Sequence, residues 1–394
     1  MKVLLAGYGS RGDVEPGAAI GRELLRRGHD VRMAVPPNML GFIDSAGLAG
    51  AAYGPDSREE MNPSSDLLRN LAPRMKNPLS VVPDVVEHVT QVKVEKGATL
   101  AALASGADLV LASYNEQGLA ANVGEYYGIP VVALHLFPER IWSSDWLFSR
   151  VTKVAEDAQR RALSLPDATG PVPLNLEIQA YDELCLPPPA AGWVEQGEQR
   201  PFVGALTLEL ATDVDTEVLS WIASGTPPIY FGLGSTPITS PADTITMISA
   251  ACAQLGQRVL ICSGPNDATD VEPSEHVKVV DAVNHAAVFP ACRAVVHHGG
   301  AGTTAAALRA GIPTLMLWLW LDQPLWAAAA QQLGVGFGRR FSETTTETLV
   351  ADLPLILSAR YAIRAREVAT HMTKAAESLA RAADLIEQTG RLGR

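Results

Sequence analysis

Twice along this chain a short apolar run ends in clustered glycines, and a helix-forming segment follows at once. Residues 2–7 (KVLLAG) run into Gly7-Tyr8-Gly9-Ser10-Arg11-Gly12, and residues 294–298 (AVVHH) run into Gly299-Gly300-Ala301-Gly302. A continuous apolar run is the pattern of a strand covered on both faces, as in a parallel sheet. A glycine loop directly after it lets the backbone turn tightly and approach a ligand.

The rest of the chain repeats that grammar. Residues 14–28 have helical spacing and end at Gly28, and HDVRMAV (29–35) reads as a second strand. Further strands are expected at 108–112 and 130–134. The pattern restarts at 228–232 (PIYFG), with strands expected in RVLICSG (258–264), VKVVDAV (277–283), AVVHHGG (294–300) and PTLMLWL (313–319). Helices are expected near 241–255, 303–310 and 323–333, with one long amphipathic stretch over 358–389. Alternating strands and helices predict an α/β chain of two Rossmann-like halves facing across a cleft. Its 394 residues suit two or three domains. A Pro/Gly-rich zone at 187–201 approaches the boundary. We place a first domain at 1–205, a second at 206–375 and a C-terminal helix at 376–394.

Composition narrows the partners. With 31 basic against 43 acidic residues the formal charge is −12, which disfavours binding dominated by nucleic-acid phosphates. The same balance disfavours charge attraction to an anionic membrane. Hydrophobic residues make up 47%, enough for a sizeable core. The four cysteines form no CxxC pair and read as buried thiols of a cytoplasmic protein. The most apolar stretch, 312–321, is too short to span a bilayer.

The first glycine loop supports two readings. Gly7, Gly9 and Gly12 match the G-x-G-x-x-G pattern of dinucleotide binding, as in an NAD-dependent oxidoreductase. That reading needs an acidic residue ending the second strand, which instead ends in Val35-Pro36-Pro37, with Asp30 at its start. In the other reading the loop carries Ser10, Arg11 and Asp13 to the mouth of the cleft. Asp13 is then either a helix cap or a general base. The second loop, Val295 to Thr304, is a strand ending in His297-His298, three glycines, and a helix opened by Thr303 and Thr304. Free N–H groups and a hydroxyl at a helix N-terminus form an anion site, and His298 beside it can give a phosphate a hydrogen bond or a positive charge.

At this point the chain resembles the GT-B fold glycosyltransferases of the GT1 type, which include bacterial antibiotic and glycolipid transferases and sterol glucosyltransferases. The resemblance rests on GSRGDVEP (9–16), FGLGS (231–235), VVHHGGAGTT (295–304) and Asp322-Gln323-Pro324, and covers nearly the whole chain. It implies an inverting, metal-independent transfer from a nucleotide diphosphate sugar, used as co-substrate without a further cofactor. Asp13 would be the catalytic base. Ser10 and Arg11 would lie near the donor phosphates. Ser235, His298, Gly300, Gly302 and Thr303 would hold the diphosphate, and Asp322 and Gln323 the sugar hydroxyls. In similar proteins the C-terminal helix crosses back to the first domain. No Asp-x-Asp stands in a metal-holding context; Asp213-Val214-Asp215 reads as a helix cap.

The chain departs from the resemblance at two places. Where similar sequences carry an aromatic residue, then x-Pro-Gln, this one has Ala282-Val283-Asn284-His285. That leaves backbone contact from Val283 to the base, and leaves UDP against dTDP open. Leu321 stands where glycine is common before Asp322. A bulkier residue there would narrow the sugar pocket and favour a smaller or deoxygenated sugar. The acceptor site is expected from residues 54–82 and from 135–148, with His135, Trp142 and Trp146. An apolar or amphipathic acceptor is implied, in the cytoplasm or at the inner face of its membrane. No nucleic-acid partner is expected.

Overall fold

The computed structural model describes residues 1–61, 82–138, 146–168, 170, 172–186, 200–235, 238, 240–264 and 275–392. It divides into two compact units. The first comprises Met1–Ala180, Trp193–Leu208 and Ala375–Arg394, and the second Tyr181–Gly192 and Glu209–Lys374.

The first unit is built on β1 (Lys2–Ala6), β2 (Asp30–Val35), β3 (Ala49–Ala52), β4 (Leu109–Ser113), β5 (Val131–His135) and β6 (Leu176–Gln179). The strands are parallel and ordered β3-β2-β1-β4-β5-β6. Every residue of β4 and β5 is buried, which is why those segments contain no alternating polar positions. The second unit uses β7 (Ile229–Gly232), β8 (Val259–Cys262), β9 (Val277–Val280), β10 (Ala294–His297), β11 (Thr314–Trp318) and β12 (Gly336–Arg340). These are also parallel, ordered β12-β11-β10-β7-β8-β9. Both units therefore have the same doubly wound strand order. Each reverses direction at one point, between β1 and β4 and between β7 and β10. Ligands of such sheets bind beyond the strand ends at that reversal.

One face of the second sheet buries Phe231, Ile261, Val296 and Leu317 against Ile245, Ile248 and Leu353 from flanking helices. The opposite face buries Tyr230, Leu260 and Val295 against Val288, Phe289 and Ala307. Cys185, Cys252 and Cys292 are buried, and burial pushes their thiols up to about 12. Cys262, expected to be buried as well, is half-buried. Among the described residues, no helix is long and apolar enough to cross a membrane.

The structure corrects the chain reading at three places. Residues 358–389 are not one helix but two, Ala359–Ala369 and Ala375–Leu392. The break is held open where Arg309 Nε donates to the Thr373 carbonyl at 2.8 Å and the Thr373 N–H donates to Asp182 Oδ1 at 2.7 Å. The last helix belongs to the first unit. It is tied there by Arg27 to Asp384 at 2.6 Å and by His29 to Glu387 at 2.9 Å. The boundary is also not a single cut near 205, because Tyr181–Gly192 belongs to the second unit. Finally, β3, β6 and β12 were not expected. Ala49–Ala52 and Gly336–Arg340 lack the β-branched residues that mark a strand.

Candidate active site

In the first unit, the loop after β1 brings Ser10 and Asp13 together. The helix Arg11–Arg26 starts from Ser10 in extended conformation, and Asp13 is the third residue of its first turn. Asp13 Oδ2 accepts from the Ser10 N–H at 2.7 Å and from the Ser10 hydroxyl at 3.0 Å. Gly9 has φ +138°, and a Cβ there would collide with the Asp13 carboxylate. The loop thus requires glycine at that position. Burial raises the Asp13 carboxyl above its ordinary range, and the hydrogen bonds from Ser10 partly offset this. A carboxylate that holds a proton more readily than usual suits a general base.

The surroundings of this loop were not visible in the motif. Ser57 Oγ donates to the Gly9 carbonyl at 2.7 Å, and Asn38 in turn holds Ser57. Beneath it the Lys96 ammonium lies 3.8 Å from the Tyr8 ring centroid and 2.5 Å from Glu116 Oε1, while the Tyr53 hydroxyl donates to Glu116. Lys96, Glu116 and Tyr53 are all buried. Arg11 points elsewhere: its guanidinium pairs with Glu15 at 2.7 Å and sits over the Phe42 ring. His135 ends β5, buried, 3.2 Å from Glu177, which also binds Arg200. Trp142 lies outside the described residues, as does most of 54–82. Trp146 opens the helix Trp146–Ala162.

In the second unit, the loops after β7, β10 and β11 meet. The helix Ala301–Ala310 begins at Gly300 with no side chain capping it and no acid in its first turn. Its first turn carries Gly302 and Thr303. His298 is packed between two glycines. A Cβ on Gly300 would lie 2.5 Å from His298 Nε2, and one on Gly234, beside Ser235, would collide with the ring. Burial lowers the His298 pKa to about 4, against a weaker pull upward from the Gly232 carbonyl. Unliganded His298 is therefore neutral at physiological pH, a state in which it can offer a hydrogen bond. Gly299 has φ +90° and backs onto Gln323, 3.2 Å from where a Cβ would stand.

Asp322 and Gln323 start the helix Gln323–Leu333. Asp322 Oδ2 accepts from the Trp326 indole N–H at 2.6 Å. Gln323 is buried, and its Oε1 accepts from the Leu319 N–H at 2.7 Å and the Trp320 N–H at 3.2 Å. Its amide oxygen thus shapes the loop before the helix. Leu321 has φ +54°, which explains why glycine suits this position, and it is 62% exposed. The side chain is mostly exposed. Val283 is buried. The next residue is anchored through its N–H to Asp215 at 2.9 Å, and Asp215 also accepts from Thr212. Among the described residues, no three His, Cys, Asp or Glu side chains gather into a metal-holding group.

Residues 3–141 match the glycosyltransferase family 28 N-terminal domain. Residues 246–388 match the erythromycin biosynthesis protein CIII-like C-terminal domain. An uncharacterized glycosyltransferase of Mycobacterium bovis is 54% identical over 420 aligned positions, covering 100% of each chain. The chain belongs to the GT-B glycosyltransferases. A sterol 3-beta-glucosyltransferase of Arabidopsis thaliana is 28% identical, covering 85% of this chain and 57% of its own. The crystal structure of glycosyltransferase VinC in complex with dTDP has the same fold, with a TM-score of 0.71, 19% identity and 100% of both chains covered. The dinucleotide alternative for Gly7, Gly9 and Gly12 finds no support in any of these. Asp30 opens β2 rather than ending it.

Proposed function

We propose that this glycosyltransferase moves a sugar from a UDP- or dTDP-linked donor to a hydroxyl of an apolar or amphipathic acceptor, with inversion. The observation that carries the reading is the pairing of two unlike helix starts. One presents a raised-pKa carboxylate at Asp13, and the other an uncapped N-terminus beside His298. Asp13 takes the acceptor hydroxyl proton while that oxygen attacks the anomeric carbon. The bond from that carbon to the diphosphate oxygen breaks, and the nucleotide diphosphate leaves. Charge grows on the leaving group, where the N–H groups of Gly302 and Thr303, the Thr303 hydroxyl, Ser235 and His298 stabilise it. These donors meet the charge without a metal, so the reading holds turnover insensitive to chelators. Asp322 and the Gln323 amide hold sugar hydroxyls, offering an acceptor and a donor together. Ser10 works through Asp13. The dTDP bound by the structural neighbour favours a thymidine donor. His135 and the 135–148 segment supply the acceptor side.

Calorimetric titration with UDP, dTDP, GDP and NAD tests the reading. Binding of UDP or dTDP, and not NAD, is the expected result. Binding of NAD alone would overturn it.

A further inference from the structure

His297 is the residue the site leaves unexplained. It ends β10, in register with Gly232 on β7 and Met316 on β11, and is 0% exposed. Its neighbours along the strand are Ala294, Val295 and Val296, all buried. Its Nδ1 accepts the Gly299 N–H at 3.1 Å, so the ring proton must sit on Nε2. Nε2 is buried and has no hydrogen-bond partner. An unsatisfied buried N–H is unfavourable, so packing alone would favour an apolar side chain at this point. The imidazole is present for its other nitrogen.

We propose that His297 is a positioning residue of the diphosphate loop: by accepting the Gly299 N–H it fixes the turn from which the next N–H groups face a phosphate. The contacts of that turn show what depends on it. Gly299 is held at φ +90° against Gln323, and Gly300 is packed on His298. A shift of Gly299 displaces both side chains and the start of the helix Ala301–Ala310. Burial also holds His297 well below its ordinary pKa, so Nδ1 stays an acceptor at acidic pH.

The inference rests on the donor reading above, and one titration series separates the two. His297→Asn keeps an acceptor near the Nδ1 position, whereas His297→Gln carries its amide near Nε2. Titrated with dTDP and UDP, H297Q should bind about tenfold more weakly than the wild type, the net worth of one hydrogen bond, and H297N within about threefold. Equal loss in both variants, or none in H297Q, overturns the positioning role and leaves the donor reading standing. A wild type that binds neither nucleotide overturns the donor reading and this inference with it. Thermal melts of each variant identify an unfolded protein, which H297N, with its acceptor retained, is expected to avoid.

Discussion

The helix after β1 and the helix after β10 each begin beside the reversal point of their own sheet, yet their first turns are opposites. The first begins at Ser10 and carries Asp13 in its first turn, bonded back to Ser10. The second begins at Gly300, with no capping side chain and no acid in its first turn. A helix N-terminus attracts negative charge. Where the protein supplies that charge itself, an anionic ligand finds the place taken and the carboxylate is free for proton chemistry. Where it supplies none, the terminus is left to a ligand. On the proposed reading, a strand–loop–helix unit serves as a base in one unit and as an anion site in the other, according to the side chains of its first turn. An acid already in that first turn also argues against reading the first glycine loop as a pyrophosphate cradle.

The strongest way to break this comparison is Asp13→Asn. Asparagine still accepts from the Ser10 N–H, so unfolding free energy should stay within about 1 kcal/mol of the wild type. Loss of the base should lower kcat by about 10²- to 10⁴-fold. Nucleotide affinity, which the proposed function assigns to the second unit, should change less than about threefold. A variant that keeps its kcat returns Asp13 to a cap and nothing more. The pH profile sharpens the same point. The base works ionised, so kcat/KM falls as pH drops through the Asp13 pKa, which lies above the ordinary carboxylate range. Ser10→Ala removes the hydroxyl hydrogen bond, one of those that lower that pKa, and should move the acid limb to higher pH.

His298 probes the other helix. His298→Gln should weaken dTDP or UDP binding by about tenfold. It should also change stability against pH. The folded pKa is about 4 and the ordinary value 6.5. Between them the unfolded chain binds more protons than the folded one. The contribution is thus complete above about pH 6.5 and is lost as pH falls through about 4. Its size is on the order of 2 kcal/mol after allowing for partial exposure. Chemical unfolding at pH 7 and pH 4 should show a smaller drop in H298Q than in the wild type. An equal drop in both would mean that His298 is not buried neutral. The part from His297 remains in either protein.

How much of this could be read from the sequence follows from which interactions are local. Runs such as those of β4 and β5 announce buried parallel strands because burial on both faces confines their polar residues, Ser113 and His135, to the strand ends. The Ser10–Asp13 spacing announces a capping arrangement because those residues meet within one turn. The Gly-rich loops announce close approaches for the same reason. What remained hidden depends on distant partners. Lys96 and Glu116 pair beneath Tyr8 across elements far apart in the chain. The break at Thr373 is made by Asp182 and Arg309. The neutrality of His298 comes from burial, which no motif records. The short strand Ala49–Ala52 is a strand only because β2 is beside it.

The smallest expected effect lies at Leu321, where the two units can be compared through strain. Gly9, at the turn beside Asp13, adopts positive φ at no steric cost; Leu321, beside Asp322, does so with a full side chain. The left-handed region costs an ordinary residue about 1–2 kcal/mol. Leu321→Gly relieves that cost but adds about 0.5–1 kcal/mol of chain entropy to the unfolded state. Little buried area is lost, because the side chain is 62% exposed. The net change should be stabilising and no more than about 1 kcal/mol, measured by denaturant unfolding at neutral pH. Gly9→Ala should go the other way, since a Cβ there collides with the Asp13 carboxylate. If L321G is instead clearly destabilised, the Leu321 side chain contributes contacts that its exposure conceals. In that case the loop before Asp322 is held by its leucine rather than strained by it.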